Sequence, residues 1–222
     1  KKFEINLKDF NSDFIVGVSG GPDSLALVFL SKLFAIKKKL KVKYYIVDHK
    51  LRRESTKEAN KVRKVLNHYM IKSEILNWNG QKPKTKIQLL ARKKRYELLT
   101  KVCKKNKINN IFLGHHLDDL FENFFIRMIR GSGLKGLVSL EKKTNFDSIN
   151  LIRPLLNFEK NDLEFISSHV FNFFVKDPLN KNTIFPGGSI YVPALITEPA
   201  TVTSVEKVTS VPLFAPVLHI FP

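Results

Sequence analysis

The chain has 222 residues, with 38 Lys and Arg against 20 Asp and Glu, a formal net charge of +18, 43% hydrophobic residues and one cysteine, Cys103. That apolar fraction excludes disorder throughout, and the length fits one domain with or without an appendage; a single cysteine excludes a disulfide framework and a Cys-rich zinc or iron–sulfur site. The basic residues are 30 Lys and 8 Arg, a mixture that suits a solvated Lys-rich surface as well as a polyanion-binding one.

In chain order, Phe14–Val18 is a short apolar run ending in glycines and predicts a buried strand. A helix over Asp23–Ala35 follows, then a strand over Val42–Val47 and a helix over Glu54–Met70 with Ala59, Val62, Val65 and Leu66 at helical spacing. Ser73–Trp78 reads as a weaker strand, Ile87–Lys105 as a long helix, Asn110–Leu113 as a buried strand and Asp118–Ile129 as a helix. The expected elements end with a strand at Ile149–Ile152, a helix at Asn161–His169 and a last short strand at Asn172–Val175. This alternation predicts an α/β fold: a doubly wound, mainly parallel five-stranded sheet with helices on both faces and a ligand edge at the strand C-termini.

The composition breaks near residue 183. Residues 183–222 hold one basic residue, Lys207, two acidic ones, Glu198 and Glu206, and six of the ten prolines. The net charge is therefore +19 over residues 1–182 and −1 beyond. The expected organisation is a catalytic domain over 1–182 and an extended or disordered tail over 183–222, native or a frameshift product, to which no function is given. No uncharged apolar run of about eighteen residues is present, and no basic-then-apolar leader opens the chain, which starts at Lys1. With the unpaired cysteine this favours a cytoplasmic protein without a membrane span.

The strongest chemical signal is V-G-V-S-G-G-P-D-S-L, residues 16–25, where the first strand meets the first helix. Gly20 and Gly21 can turn main-chain N–H groups toward an anion, Ser19 and Ser24 add hydroxyls, and the helix N-terminus adds its positive end. Such a cradle suits a phosphate or pyrophosphate, with Asp23 capping the helix or facing the anion through a divalent cation. The string is neither a Walker A loop nor G-x-G-x-x-G. Its bland alternative is a capped, glycine-rich strand–helix turn.

Four further strings stand out: V-D-H-K-L-R-R-E-S (47–55), L-A-R-K-K-R-Y-E-L-L (90–99), L-G-H-H-L-D-D-L-F-E-N (113–123) and R-M-I-R-G-S-G-L-K-G-L (127–137), followed by R-P-L-L (153–156). Asp48 and His49 would face the ligand edge after the second strand, although a strand-end histidine is a packing residue about as often. Arg92 and Arg95 lie three apart on one helix face, as do Asp119 and Glu122 at a helix start. Those two acids either hold a ligand amine or simply stabilise the helix dipole. Adjacent His115 and His116 point differently and lack a third nitrogen ligand, so no zinc site is expected; one lines the site and the other packs. Seven of the eight arginines, all but Arg63, fall inside or beside these strings, where a guanidinium can grip phosphate bidentately.

S-G-G-P-D-S resembles the pyrophosphate loop of the N-type ATP pyrophosphatases, the PP-loop superfamily. With the further strings in that order and spacing, residues 13–180 are similar to the catalytic domain of the tRNA(Ile)-lysidine synthases. The resemblance implies an adenine nucleotide α-hydrolase-like fold and a ligase that cleaves ATP to AMP and pyrophosphate. Its substrates would be free L-lysine and a tRNA(Ile) with the CAU anticodon, whose wobble cytidine C34 becomes lysidine. ATP and Mg²⁺ are the implied cofactors, with Ser19, Gly20, Gly21, Pro22, Asp23, Ser24, Asp48 and His49 on the nucleotide. Asp23, His115, Asp119 and Glu122 are the implied catalytic set, the last two acids recognising lysine, and Arg92, Arg95, Arg127 and Arg130 are assigned to tRNA phosphates. A homodimer is compatible with the sequence. The chain departs from the family at D-P-L-N (177–180), where the family shows D-P-S-N, and has no arginine after Arg153; the family's C-terminal tRNA-binding domains are expected to be absent. Two alternatives therefore stand: a truncated ATP- or RNA-binding module with incomplete catalysis, and another PP-loop tRNA-modifying enzyme such as a thiolase, which would ordinarily need more cysteines than Cys103.

Overall fold

Alternating apolar residues in β1 (Phe14–Val18) divide the molecule's interior in two. In the computed structural model, which describes residues 1–80, 87–121, 124 and 141–175, Phe14, Val16 and Val18 face one core. That core also holds Tyr44 and Ile46 of β2 (Val42–Asp48) and Phe112 of β4 (Asn110–Phe112). Ile15, Tyr45 and Ile111, one residue out of phase, face the other with Leu99 and Cys103 of α4 (Ile87–Asn106). A sheet buried on both faces needs this period-two partition, because each face must meet its own helical layer. Phe14 and Phe112 stack with centroids 4.1 Å apart, at the centre of the first core. Each such fully buried aromatic contributes about 1.5–3 kcal/mol of transfer free energy.

The first core is covered by α2 (Pro22–Lys38), α3 (Ser55–His68) and α5 (Lys160–Phe171), through Leu25 and Phe34, Val62 and Leu66, and Leu163 and Phe171. A short α1 (Lys2–Asn6), not expected from the sequence, buries Phe3 edge-on against Phe34. With β3 (Ser73–Asn77), β5 (Lys143–Phe146) and β6 (Ile149–Ile152), the sheet runs β3-β2-β1-β4-β6-β5. All pairs are parallel except β5–β6. The chain therefore winds outward from β1 through β2 to β3, then returns to β4 on the other side of β1. Strand order reverses between β1 and β4, the place where doubly wound sheets open a ligand crevice at their strand C-termini.

Two expectations are corrected. Among the described residues the sheet has six strands rather than five: Lys143–Phe146 turns through Asp147 and Ser148, both with positive φ, and pairs antiparallel with β6. Asn172–Val175 is not a strand. Asn172 closes α5 with φ 47°, and the residues after it pack over the loop that follows β1 instead of joining the sheet. The other bounds agree to within three residues, and Phe14–Val18 and Ile149–Ile152 agree at both ends. Residues 117–121 and 124 are helical, the start of the helix expected over Asp118–Ile129; its remaining positions, with Glu122, Arg127 and Arg130, lie outside the described residues, as does the tail from 183. Among the described residues no helix is long and apolar enough to cross a membrane.

Candidate functional site

The turn after β1 is braced from within. Gly20 has φ +87°, and a Cβ there would lie 2.6 Å from Val62 Cγ2, so glycine is required by conformation and by space. The N–H groups of Gly20 and Ser19 donate to Ser24 Oγ at 3.0 and 3.3 Å, and the Ser24 hydroxyl donates to the Gly21 carbonyl at 3.0 Å. Ser24 thus holds the loop's shape, while Ser19 is exposed. Gly21 is the helix N-cap with extended φ −70°, ψ 166°, and Pro22 follows at the helix start, where a missing N–H costs nothing. A Cβ on Gly21 would meet only Ser19 Oγ, at 3.8 Å. The open space beside Gly21, at the positive end of α2, is where an anion fits.

The turn after β4 closes on this loop from the other side of the reversal point. A Cβ on Gly114 would sit 3.3 Å from the Ser24 backbone, so the missing side chain lets the two turns approach. His116 follows, pinned by a parallel bridge to Leu155. Its Nδ1 accepts the Asp118 N–H at 3.3 Å, and its own N–H donates to Asp119 Oδ2 at 2.9 Å. Nε2 lies 3.6 Å from Asp23 Oδ2 and 3.6 Å from Asp119 Oδ2. Asp23 Oδ1 is buried with no partner among the described residues. Burial pushes the Asp23 carboxyl above its ordinary pKa and the Asp119 charge adds to this, against the pull of His116 and of Lys160 at the start of α5.

Asp48 lies elsewhere on the same edge and is fully engaged. Its Oδ1 accepts from the Lys50 N–H (2.9 Å) and Ser55 hydroxyl (2.8 Å), and its Oδ2 from the Thr56 hydroxyl (2.6 Å). Burial works against the ionised form, but the hydrogen bonds, that of Thr56 foremost, outweigh it and hold the carboxyl below its ordinary pKa. Asp48 therefore fastens the start of α3 to the end of β2, and the structure does not bring it to the Asp23–His116–Asp119 group. His49 sets its ring edge-on to Trp78, centroids 6.1 Å apart.

The arginines gather around His115. Burial, then Arg92, Arg153 and Arg95 in decreasing effect, drive the His115 pKa down to about 3, so its imidazole is neutral at physiological pH. Arg92 lies over the Tyr96 ring at 5.5 Å. Arg153, buried, donates to the Glu141 carbonyl at 2.8 Å and to the Thr144 hydroxyl at 3.1 Å. It thereby fixes the β5–β6 hairpin beside the site. Three guanidiniums around a neutral imidazole make a place suited to phosphate oxygens.

Sequence reasoning put Asp23, His115 and Asp119 in one site. The side chain between the two carboxylates is that of His116, and the string H-H by itself cannot say which histidine turns inward. Gly114 and Lys160 were not singled out at all. The signal for Gly114 was its position just after a buried strand, which calls for close backbone approach.

Comparison with known proteins places this geometry in a family. A PP-loop domain model of ATP-binding type matches residues 1–190. The chain belongs to the PP-loop family. Among curated relatives it is similar to the tRNA(Ile)-lysidine synthase of Wolbachia pipientis wMel, 43% identical over 157 residues, covering 70% of this chain and 36% of that protein. The corresponding protein of Orientia tsutsugamushi (strain Boryong) is 39% identical over 172 residues, covering 78% and 39%. This PP-loop chain thus spans little more than a third of the length of these relatives. Its fold is also that of the U34-tRNA thiolase NcsA from Methanococcus maripaludis, a structure with a [4Fe-4S] cluster. The TM-score is 0.66 at 21% identity, over 80% of this chain and 64% of that one.

Proposed function

We propose that this PP-loop domain catalyses the ATP-dependent ligation of L-lysine to C2 of the wobble cytidine of tRNA(Ile), giving lysidine. The C2 oxygen of C34 attacks the α-phosphorus of ATP and pyrophosphate leaves; the ε-amine of lysine then attacks C2 and AMP leaves with that oxygen. The observation that carries the reading is the meeting of the β1 and β4 turns, which brings the open cradle at Gly21 and the carboxylates of Asp23 and Asp119 around His116. The tRNA(Ile)-lysidine synthase names of relatives up to 43% identical support the choice of reaction.

In this reading the α2 N-terminus and the turn Ser19–Ser24 take the phosphates and stabilise charge on the departing pyrophosphate. The orphaned Asp23 Oδ1 suits Mg²⁺, which binds through one or two carboxylates plus substrate phosphates and would neutralise phosphate charge when bound. Asp119 and Glu122 orient the lysine ammonium, so that attack becomes effectively intramolecular. Arg92, Arg95 and Arg153 hold RNA or nucleotide phosphates, and neutral His115 sits among them without adding a charge.

The thiolase reading is disfavoured by Cys103. It is the chain's sole cysteine, and burial in the α4 core pushes its thiol up to about 12, which leaves no thiolate for a cluster or for sulfur transfer. The test is pyrophosphate release from ATP by the 222-residue chain. Release that requires both lysine and tRNA(Ile) with the CAU anticodon is expected. ATP binding without such release would favour the nucleotide- or RNA-binding module instead.

A further inference from the structure

We propose that His116 is a positioning residue that ties the nucleotide half of the site to the amine half through one Nε2–H group. The inference rests on the function proposed above and deepens it.

Three observations fix the ring. His116 is 7% exposed and belongs to a turn locked by its bridge to Leu155, so its backbone has one position. Nδ1 faces the Asp118 N–H, a donor that cannot be inverted, so Nδ1 is the acceptor and Nε2 carries the proton in the neutral ring. Nε2 in turn stands equally far, 3.6 Å, from one oxygen of Asp23 and one of Asp119. Asp23 belongs to the proposed phosphate loop and Asp119 to the first turn of the helix that follows the β4 turn, positions separated by almost a hundred residues of chain.

Two carboxylates brought close in a half-buried site repel, and each raises the cost of ionising the other. A ring N–H placed between them, 3.6 Å from an oxygen of each, offsets that repulsion. It serves neither ligand directly. The ring sets the distance between the place where a triphosphate rests and the place where an ammonium rests, and in-line chemistry between two bound partners depends on such a distance. Lys160, the other cation acting on Asp23, is at the start of α5.

The proposal separates His116 from a residue of either binding site alone. Replacing the ring by His116→Asn leaves an acceptor near the Nδ1 position but removes the distal N–H, whereas His116→Gln places an amide N–H near the Nε2 position. His116→Asn should weaken binding of ATP and, in the presence of a non-hydrolysable ATP analogue, of L-lysine, each about tenfold; His116→Gln should restore both to within about threefold of wild type. Long-range ¹H–¹⁵N spectra of the ¹⁵N-labelled wild-type chain should show His116 as the Nε2–H tautomer. Loss confined to one ligand, or a folded His116→Gln as impaired as His116→Asn, would overturn the proposal. So would an Nδ1–H tautomer, which also decides the matter should the variants fail to fold. A wild-type chain that shows the Nε2–H tautomer but binds neither ATP nor lysine would instead remove the proposed function, and with it the link between two ligands that defines this role.

Discussion

Two aspartates close the C-terminal ends of neighbouring strands and do opposite things. Asp48, at the end of β2, accepts three hydrogen bonds and is held below its ordinary pKa. Asp23, after β1, keeps an oxygen without a partner among the described residues and is pushed above it. A carboxylate satisfied by its own chain is architecture, whereas one left short of partners at a strand-order reversal is available for a ligand. Position on the sheet edge does not separate the two; the hydrogen-bond inventory does.

The largest expected effects contrast the paired glycines of the β1 turn. Gly20→Ala forces a side chain into φ +87° and to 2.6 Å from Val62, and should cost about 2–4 kcal/mol of stability, read as a fall in Tm. Gly21→Val has open space and an extended backbone, so Tm should stay within a few degrees while ATP binding is lost; unchanged ATP affinity would refute the phosphate cradle. Asp48→Ala comes next, with about 2–3 kcal/mol lost as the start of α3 comes free. Because its folded pKa is depressed, the stability Asp48 supplies is present above the unfolded carboxylate pKa, about 3.9, and disappears as pH falls through the folded value. Acid denaturation of Asp48→Asn should therefore be less steep than that of wild type.

Asp23→Asn should run the other way. A raised folded pKa means that ionised Asp23 opposes folding, so its replacement should stabilise the chain by about 0.5–1 kcal/mol at pH 7 while abolishing pyrophosphate release. The gain should shrink as the pH falls and Asp23 protonates in the wild type, and a Tm difference that does not change with pH would break the contrast with Asp48. The smallest effect concerns Cys103. With its thiol held up to about 12 in the core, it should resist thiol reagents at pH 8 until the chain unfolds.

Much of the sheet was legible, because β1, β2 and β4 are dominated by apolar and aromatic residues and the helices between them carry helical spacing. β5 was not: K-T-N-F has too little apolar content to signal a strand and is held by pairing with β6 and by Arg153 on Thr144. Phe173–Val175 is apolar enough to suggest a strand, yet the left-handed turn at Asn172 sends it over the β1 loop. Within the site, the turn proposed to take phosphate is marked in the sequence by its glycines. The use of Asp48 depends on hydroxyls seven and eight residues away, Ser55 and Thr56, whose direction no local pattern reveals. The choice between His115 and His116 depends on a bridge to Leu155 that is set only by tertiary structure.

The contact between Val175 and Gly20 has a consequence for tethering. The Val175 N–H donates to the Gly20 carbonyl at 2.9 Å, and its side chain stands against the α-carbon of that glycine. Polypeptide downstream of residue 175 is therefore launched from the rim of the β1 turn itself. A pull on that downstream stretch would be felt first at the turn proposed to take the phosphates.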